Sequence, residues 1–200
     1  MKLNHARIIP NLLGNDLGCG VTIFKIYPGK KLTASDFKKL DKVIRENIPI
    51  NLAKGPRDLY GVGVINGLIF NTPMNPDRLS LCYGTLGNGN HFIEIDMDEN
   101  GAYYLTIHTG SRSIGPAIND YFNIKGQEEL KLRGIDVPYE MTYVDDILYI
   151  KYVDDVRKAT EFARLNRNRI RSIICRKMKW DSEIEFNAPH NTISERFCLC

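Results

Sequence analysis

Residues 84–115, GTLGNGNHFIEIDMDENGAYYLTIHTGSRSIG, carry a strong signal for a β-hairpin and hold two of the chain's four histidines. Asn100 and Gly101 both tolerate the positive φ of a type I′ turn, a common hairpin connection. The flanking runs 91–97 and 103–108 are rich in aromatic and β-branched residues, which favour strands. The stretch therefore predicts a hairpin over about 91–108, around which the rest of the fold is arranged.

The turn also predicts which strand residues share a face. A two-residue loop at 100–101 places Ile93 opposite His108, so that His91 and His108 become diagonal neighbours on one face. Such neighbours lie about 7–8 Å apart, within reach of one metal ion or an adjacent pair. A three-residue loop would shift the register by one residue and send the two histidines to opposite faces. Two histidines in a hairpin are more often ordinary hydrogen-bonded residues than ligands, so the pair alone does not establish a metal site.

Glycine-rich loops border both histidines. Residues 84–90 lead into His91, and residues 110–115 follow His108. A strand that runs into a Gly/Ser loop and then a helix offers backbone N–H groups to a phosphate, and Arg112 would add a bidentate clamp. Glycine loops at strand ends are also ordinary turns, so the two loops alone do not establish an anion site.

The composition narrows the class of protein. Two hundred residues with 43% hydrophobic composition can bury a core as one domain or two closely packed ones. No run approaches the length of a membrane span, the N-terminus lacks a signal peptide, and the five cysteines form no CxxC pair. We therefore expect a soluble, cytoplasmic protein with no membrane partner. The net charge of +3 is too small to indicate a partner by itself.

Helical periodicity predicts helices beside the hairpin. One runs from Ser35, as N-cap, to about Asn47, and Pro49 ends it. A long one runs from about Val153 to Trp180, with candidate core positions at Val156, Ala159, Ala163, Ile170, Ile173 and Ile174. Elsewhere the sequence predicts strand pieces within 8–26, irregular loop with short strands over 55–83, a helix from about 116 through 121, and a break in regular structure at 134–142. The pattern predicts an α+β fold in which a mixed or antiparallel sheet, with the hairpin at its centre, is packed by helices.

The long helix is strongly basic at its end. Seven cationic residues fall within sixteen positions, namely Arg164, Arg167, Arg169, Arg171, Arg176, Lys177 and Lys179. A solvated helix face is the commoner explanation of such a run, and contact with a nucleic-acid backbone is the functional one. The charge run alone leaves both open.

Two further segments offer metal ligands. Asp16 and Cys19 stand three apart in the glycine loop 14–20, and Pro189 stiffens a loop that presents His190. A carboxylate suits harder ions such as Mn²⁺ and a thiolate softer ones such as Zn²⁺. An Asp and a Cys at this spacing are a weak motif, since a buried cysteine beside a turn aspartate is common. The candidate ligands are then Asp16, Cys19, His91, His108 and His190, too many for one structural zinc and suited to two ions bridged by a shared thiolate.

Five ordered elements resemble those of the RtcB family of GTP-dependent RNA ligases. GNDLGCG at 14–20 is similar to the family's D-I-G-C-G element, and residues 84–94 to its G-T-L-G-x-G-N-H-F-x-E element. IHTGSRSIG at 107–115 resembles H-S-G-S-R-G-x-G, residues 162–167 the A-x-N-R helix, and residues 190–191, within 187–191, the H-N step. The resemblance covers about residues 10–191, and it implies an RtcB-like fold.

The resemblance implies an activity in RNA repair or tRNA splicing. Family members join an RNA 3′-phosphate or 2′,3′-cyclic phosphate to a 5′-hydroxyl end, using GTP and Mn(II). A histidine is guanylylated, GMP passes to the RNA 3′-phosphate, and the 5′-hydroxyl attacks with loss of GMP. The implied partner of this chain is accordingly an RNA with 3′-phosphate and 5′-hydroxyl ends.

The resemblance also implies residue roles. Cys19 would bridge two Mn(II) ions, with Asp16 and His91 at one and His108 and His190 at the other. The implied GTP-binding residues are Asn90, Phe92, Glu94 and Asn191. The residues implied to bind RNA or phosphate are Arg112 and Arg167.

One part of the family's pattern is missing. The guanylylated histidine lies in a late H-G-A-G-R element that these residues lack, and the one unassigned histidine is His5, in an unrelated context. We therefore expect residues 1–200 to be a single metal-binding portion of a truncated, incomplete member. Alone, this chain is expected neither to form the covalent guanylate nor to ligate. The absent C-terminal half, or a homo-oligomer, would be its protein partner.

Two other functions remain open on the sequence. One is a non-catalytic RNA- or partner-binding remnant that uses the basic helix 164–179. The other is a two-metal phosphoesterase with water as nucleophile, which needs no guanylylated histidine.

Overall fold

The computed structural model describes residues 6–51, 63, 67–193 and 198–199. The helices are α1 (Pro10–Leu13), α2 (Ala34–Asn47), α3 (Pro76–Ser80), α4 (Ile114–Leu132) and α5 (Asp146–Met178), with a 3-10 turn at Tyr139–Met141. The strands are β1 (Gly20–Tyr27), β2 (Phe92–Met97), β3 (Tyr103–Thr109), β4 (Asp181–Pro189), β5 (Thr192–Ile193) and β6 (Cys198–Leu199). None of the helices in these ranges is both long and apolar enough to cross a membrane.

The first four strands form one antiparallel sheet in the order β2-β3-β1-β4, and β5 pairs with β6. Helices α2 and α5 pack on one face of this sheet, where Phe24, Ile26, Leu105 and Ile107 are buried. The predicted α+β class, the hairpin and the packing by helices are therefore confirmed, and the sheet is antiparallel rather than mixed. The predicted central place of the hairpin is wrong, because β2 and β3 lie at one edge of the sheet.

Helix α5 is the element around which both parts of the core form. Its residues Ile170 and Ile174 belong to the hydrophobic cluster under the sheet, and Tyr152, Val156 and Phe162 belong to a second cluster with α4. The helix spans 33 residues, seven more at its start than the sequence predicted. Of the six predicted core positions, five are buried and Ile173 is partly buried. Because α5 contributes side chains to both clusters, it contacts the sheet as well as α4.

Several predicted boundaries differ from the structure. Thr33, rather than Ser35, caps α2, because its side chain accepts from Asp36 N while the Asp36 carboxylate accepts from Thr33 N. Residues 10–13 form helix α1, where strand was expected, and α4 begins at Ile114 and continues to Leu132. In the described part of 55–83, which is residue 63 and residues 67–83, residue 63 and α3 are helical and no strand occurs. The rest of that prediction lies outside the described residues.

The register of the hairpin differs by one residue from the prediction. Phe92 pairs with His108, and Asp98 N donates to Ala102 O, so the loop has three residues. The Asp98 carboxylate accepts from the backbone N–H groups of Asn100 and Ala102, and this side-chain turn draws one more residue into the loop. His108 therefore shares its face with Phe92, and the predicted pairing of Ile93 with His108 is wrong.

Candidate metal centre

All five candidate ligands meet at one end of the sheet. Cys19 precedes β1, His91 precedes β2, His108 is the penultimate residue of β3, and His190 follows β4. The Cys19 Sγ lies 3.2 Å from His108 Nε2 and 3.5 Å from His91 Nε2. His91 reaches this point because it stands just before the strand and is free of the alternation that would have sent it to the opposite face. The convergence was predicted, but the register from which it was predicted is wrong.

The five side chains form two groups that share the thiol. Cys19, His108 and His190 are one group, and Asp16, Cys19 and His91 are the other, with the donor atoms of each group within 4.8 Å of one another. His190 Nε2 lies 3.0 Å from His108 Nε2, and Asp16 Oδ2 lies 3.2 Å from His91 Nε2. Cys19 is thus the common member.

The donor atoms and their spacing fit cations. Atoms that bind one ion at about 2.0–2.3 Å lie roughly 3–4 Å apart. The four pairs that Cys19, His91, His108, His190 and Asp16 form at 3.0–3.5 Å fall in this range. Two imidazole nitrogens that face each other at 3.0 Å are both acceptors unless one carries a proton, so a shared cation satisfies both at once. Imidazole, thiolate and carboxylate together are ligands for first-row divalent metals. The arrangement can therefore hold two ions that share one thiolate.

The backbone fixes which nitrogen of His91 faces this centre. His91 Nδ1 lies 3.0 Å from Leu86 O, a carbonyl that can only accept, so Nδ1 carries the proton and Nε2 presents its lone pair to Cys19 and Asp16. Leu86 O also accepts from Thr109 Oγ1, which follows His108. The loop 84–90 thus holds His91 in a ligand tautomer and ties it to the end of β3.

Glycines let the loops approach closely enough to form the centre. A Cβ on Gly110 would lie 2.3 Å from Asp16 Oδ1, and one on Gly87 would lie 2.1 Å from Arg112 Nη1 and 2.6 Å from His91 Nδ1. No side chain fits at either position without displacing one of these groups. The glycine-rich loops were predicted to bind a phosphate through their N–H groups. Their glycines are also needed for close packing around the ligands.

Replacing Gly110 with alanine is expected to weaken one metal group selectively. The new Cβ would meet the end of the Asp16 side chain, which is half-exposed and can move, so the carboxylate leaves the centre while the backbone stays in place. The affinity for the ion of the Asp16 group should fall about 10-fold or more, as measured by metal titration. Asp16→Asn should reproduce this loss. Unchanged binding in Gly110→Ala would show that Asp16 is not used.

Burial and neighbouring charge set the protonation of the ligands. Burial raises the pKa of the Cys19 thiol, the adjacent Asp16 carboxylate raises it further, and the Arg167 guanidinium opposes both. Burial, with repulsion from His190 and His91, lowers the pKa of His108. For Asp16, burial would raise the pKa, but the neighbouring His91, the Cys19 thiol and the Arg112 charge together outweigh it and lower the pKa. Without a cation Cys19 is therefore held as a thiol, and metal binding must release the thiol proton.

The stability of the metal-free protein is expected to fall as the pH drops through about 6.5, the ordinary pKa of histidine. Because the pKa of His108 is lowered in the folded state, the unfolded chain takes up a proton first, and acid favours unfolding. Urea denaturation in a chelator, at about pH 7.5 and about pH 5.5, measures this difference. His108→Asn should reduce it. An identical pH dependence in that variant would exclude His108 as a source.

The residues predicted to bind nucleotide or phosphate lie around this centre and differ in how accessible they are to a ligand. Phe92 is 37% exposed and meets the His108 ring edge-on at 5.3 Å, while Asn90 and Glu94 are exposed nearby in sequence. Arg112 donates from Nε to Thr85 Oγ1 and lies close to the Asp16 charge. These four positions are accessible to a ligand or border the centre.

Asn191 and Arg167 are engaged by the protein itself. Asn191 Nδ2 donates to Leu13 O and Asp16 O, so this amide holds the Asp16 loop. Arg167 is fully buried and donates to Thr22, Gly18, Thr109 and Asn187. Its guanidinium does not face solvent, so its buried position gives no support to the contact with RNA, which stays a prediction.

The basic run on α5 is not one charged face. Arg164 pairs with Glu161, and Arg171 is partly buried over the Phe24 ring and donates to Ser182. The exposed members are Arg176, Lys177 and Lys179, at the end of the helix. The structure thus leaves a smaller basic surface than the sequence suggested.

One functional neighbour was missed from the sequence. Asn166 is fully buried, accepts from Gly84 N and donates to Thr85 O, and so holds the loop that carries His91. Its place beside Arg167 in the family-like 162–167 element was the available signal.

Comparisons with known proteins place the chain in one family. The sequence model of the tRNA-splicing ligase RtcB family matches residues 73–196. The chain is 30% identical to RNA-splicing ligase RtcB1 of Escherichia coli over 94% of its length, and 33% identical to RNA-splicing ligase RtcB of Escherichia coli strain K12 over 80% of its length. RNA-splicing ligase RtcB2 of Escherichia coli is 28% identical to it over 94%.

An antiparallel α+β domain with grouped His, Cys and Asp donors at one sheet end has the donor chemistry of a divalent-metal site. The chain belongs to the RtcB family. It spans about half the length of the curated relatives it matches, 54% and 45% for the first two.

Proposed function

We propose that these 200 residues form the metal-binding portion of an RNA ligase of the RtcB type. The observation that carries this proposal is the arrangement of five donor side chains around one cysteine, in a chain of this family. The substrates would be RNA ends, a 3′-phosphate or 2′,3′-cyclic phosphate and a 5′-hydroxyl, with GTP as co-substrate. Two Mn(II) ions, when bound, would neutralise phosphate charge and orient the attacking and leaving oxygens.

Each ligand would act from the position described. Asp16 and His91 would hold one ion, His108 and His190 the other, and Cys19 would contribute its thiolate to both. Arg112, beside Asp16 and half-buried, would hold a phosphate next to the centre as a bidentate donor. Asn90, Phe92 and Glu94, exposed in β2 and just before it, would contact the guanine nucleotide, and Asn191 would position the Asp16 loop instead of the nucleotide.

We infer that the nucleophile for guanylylation is not among the described residues. Three of the four histidines face the centre as ligands, and the fourth, His5, lies outside the described residues and in a sequence unlike the family's H-G-A-G-R element. The covalent step would then require a complementing segment, which is the partner expected from the sequence.

The test is to incubate the chain with radiolabelled GTP, Mn(II) and an RNA that carries 3′-phosphate and 5′-hydroxyl ends. The expected result is neither labelled protein nor joined RNA from the chain alone, with guanylylation appearing when the C-terminal half of an RtcB relative is added. Ligation by the chain alone would contradict the inference about the nucleophile.

Two other outcomes would favour the alternatives. Metal-dependent hydrolysis of a phosphate ester without GTP would indicate a phosphoesterase. RNA binding that survives Cys19→Ala but is lost when Arg176, Lys177 and Lys179 are neutralised would indicate a non-catalytic RNA-binding protein.

A further inference from the structure

The buried Arg167 is the starting point. The side chain is 0% exposed, and its hydrogen bonds at 2.7–3.3 Å go to hydroxyl, amide and carbonyl oxygens, all of them neutral. A buried charge of this kind costs free energy that an apolar side chain of similar volume would not. Stability alone therefore does not account for an arginine at this position.

The acceptors of Arg167 lie beside three of the candidate ligands. Nη1 donates to Gly18 O, directly before Cys19, and to Thr109 O, directly after His108. Nη2 donates to Asn187 Oδ1, three residues before His190 in the same strand end. One planar group thus spans the three segments that deliver Cys19, His108 and His190.

Asn166, the residue before Arg167, likewise holds the loop 84–90, which carries His91. Asn166 Oδ1 accepts from Gly84 N at 2.7 Å, and Nδ2 donates to Thr85 O at 2.9 Å. Thr85 Oγ1 in turn accepts from Arg112 Nε, and the next carbonyl, of Leu86, fixes the His91 ring. Asn166 therefore connects α5 to both His91 and Arg112.

We propose that Asn166 and Arg167 are positioning residues for the metal centre. Arg167 sets the spacing of Cys19, His108 and His190, and Asn166 sets the place of His91 and Arg112. Two adjacent residues of one helix thus hold all these segments in place relative to one another. A site whose donor atoms lie 3.0–3.5 Å apart requires such rigid support. The inference rests on the proposed metal-binding function.

The experiment titrates Co(II) into the metal-free chain and follows the thiolate-to-cobalt charge-transfer and d–d absorption, which report ligand geometry. Arg167→Met removes all the donors, and Arg167→Lys keeps the charge but replaces the planar fork with a single ammonium. Both variants are expected to lose about 10- to 100-fold in cobalt affinity and to change the d–d spectrum.

A matched control lies on the same helix. Asp155 is also 0% exposed, and its carboxylate accepts from Thr72 N and Asn71 N, which have no ligand beside them. Asp155→Asn should lower the melting temperature while leaving the cobalt affinity and spectrum of the folded protein unchanged. A purely structural role for Arg167 would give the same result as this control.

Asn187→Ala provides a milder variant, because Asn187 is exposed and only its link to Arg167 and Thr22 is removed. It should lower the affinity for the ion of the His190 group and leave the affinity of the Asp16 group unchanged. If Arg167→Met does not fold, this variant decides the matter, and unchanged binding of both ions would overturn the proposal.

The remaining outcomes separate this inference from the proposed function. Folded Arg167 variants that bind cobalt like the unaltered chain would overturn the positioning role and leave the metal centre standing. Restoration of normal affinity and spectrum by Arg167→Lys would assign the effect to charge and overturn the geometric role. An unaltered chain that binds no cobalt would overturn both.

Discussion

Replacing Cys19 with alanine is expected to abolish saturable binding of both ions. Its Sγ is the only atom common to the two donor groups among the described residues, so its loss leaves two ligands in each group. The substitution also removes the thiolate, the negatively charged ligand that stands between the four other side chains. We expect affinity for both ions to fall at least about 100-fold, more than for a change outside the ligand set. Calorimetric titration with Mn(II) measures this.

The control for this prediction is Cys175→Ala. Cys175 is also buried, on α5, but it lies in the hydrophobic cluster under the sheet, away from the ligands. It should lower stability slightly and leave metal binding intact. If Cys19→Ala still bound one ion with unchanged affinity, the shared-thiolate arrangement would be wrong.

Replacing Gly18 with alanine is expected to lower the free energy of unfolding by several kcal/mol, about 2–5 kcal/mol. Its φ of +70° is unfavourable for any residue with a Cβ, and that Cβ would lie 2.6 Å from Thr160 Cα and 3.0 Å from Ala159 O. These are backbone atoms of α5, so neither side can give way without moving the Cys19 loop or the helix. We expect a loss of about 2–5 kcal/mol, from overpacking and left-handed strain together. Urea denaturation measures the free energy of unfolding.

Gly29→Ala separates the two causes. Gly29 has nearly the same φ, +72°, but nothing within 4 Å of an added Cβ. Its substitution should therefore cost only about 1–2 kcal/mol, the strain of the backbone conformation. Equal losses in the two variants would mean that the close approach of the Cys19 loop to α5 contributes nothing.

The hairpin shows what a local pattern can and cannot predict. Asn100 and Gly101 with their flanking strands predicted the element correctly, because turn propensity and strand propensity agree there. They did not predict the register, because the Asp98 side chain adds hydrogen bonds that a count of loop residues does not include. His91 and His108 nevertheless meet, since His91 stands outside the strand.

Arg167 shows why long-range roles escape the sequence. In the chain it is one of seven cations within sixteen residues, which suggested contact with RNA. In the fold it points into the protein, and its hydrogen-bond partners are up to 149 positions away. Which face of an amphipathic helix is buried follows from its apolar positions, but what an arginine on that face contacts depends on three other segments meeting there.

The central claim, a centre for two metal ions around Cys19, is tested most directly by following free Mn(II) by electron paramagnetic resonance during titration of the chain and of His108→Ala. We predict that the unaltered chain removes two equivalents of Mn(II) from solution and that His108→Ala removes one, because the Asp16 group survives. No removal of Mn(II), or equal removal by both proteins, would contradict the account.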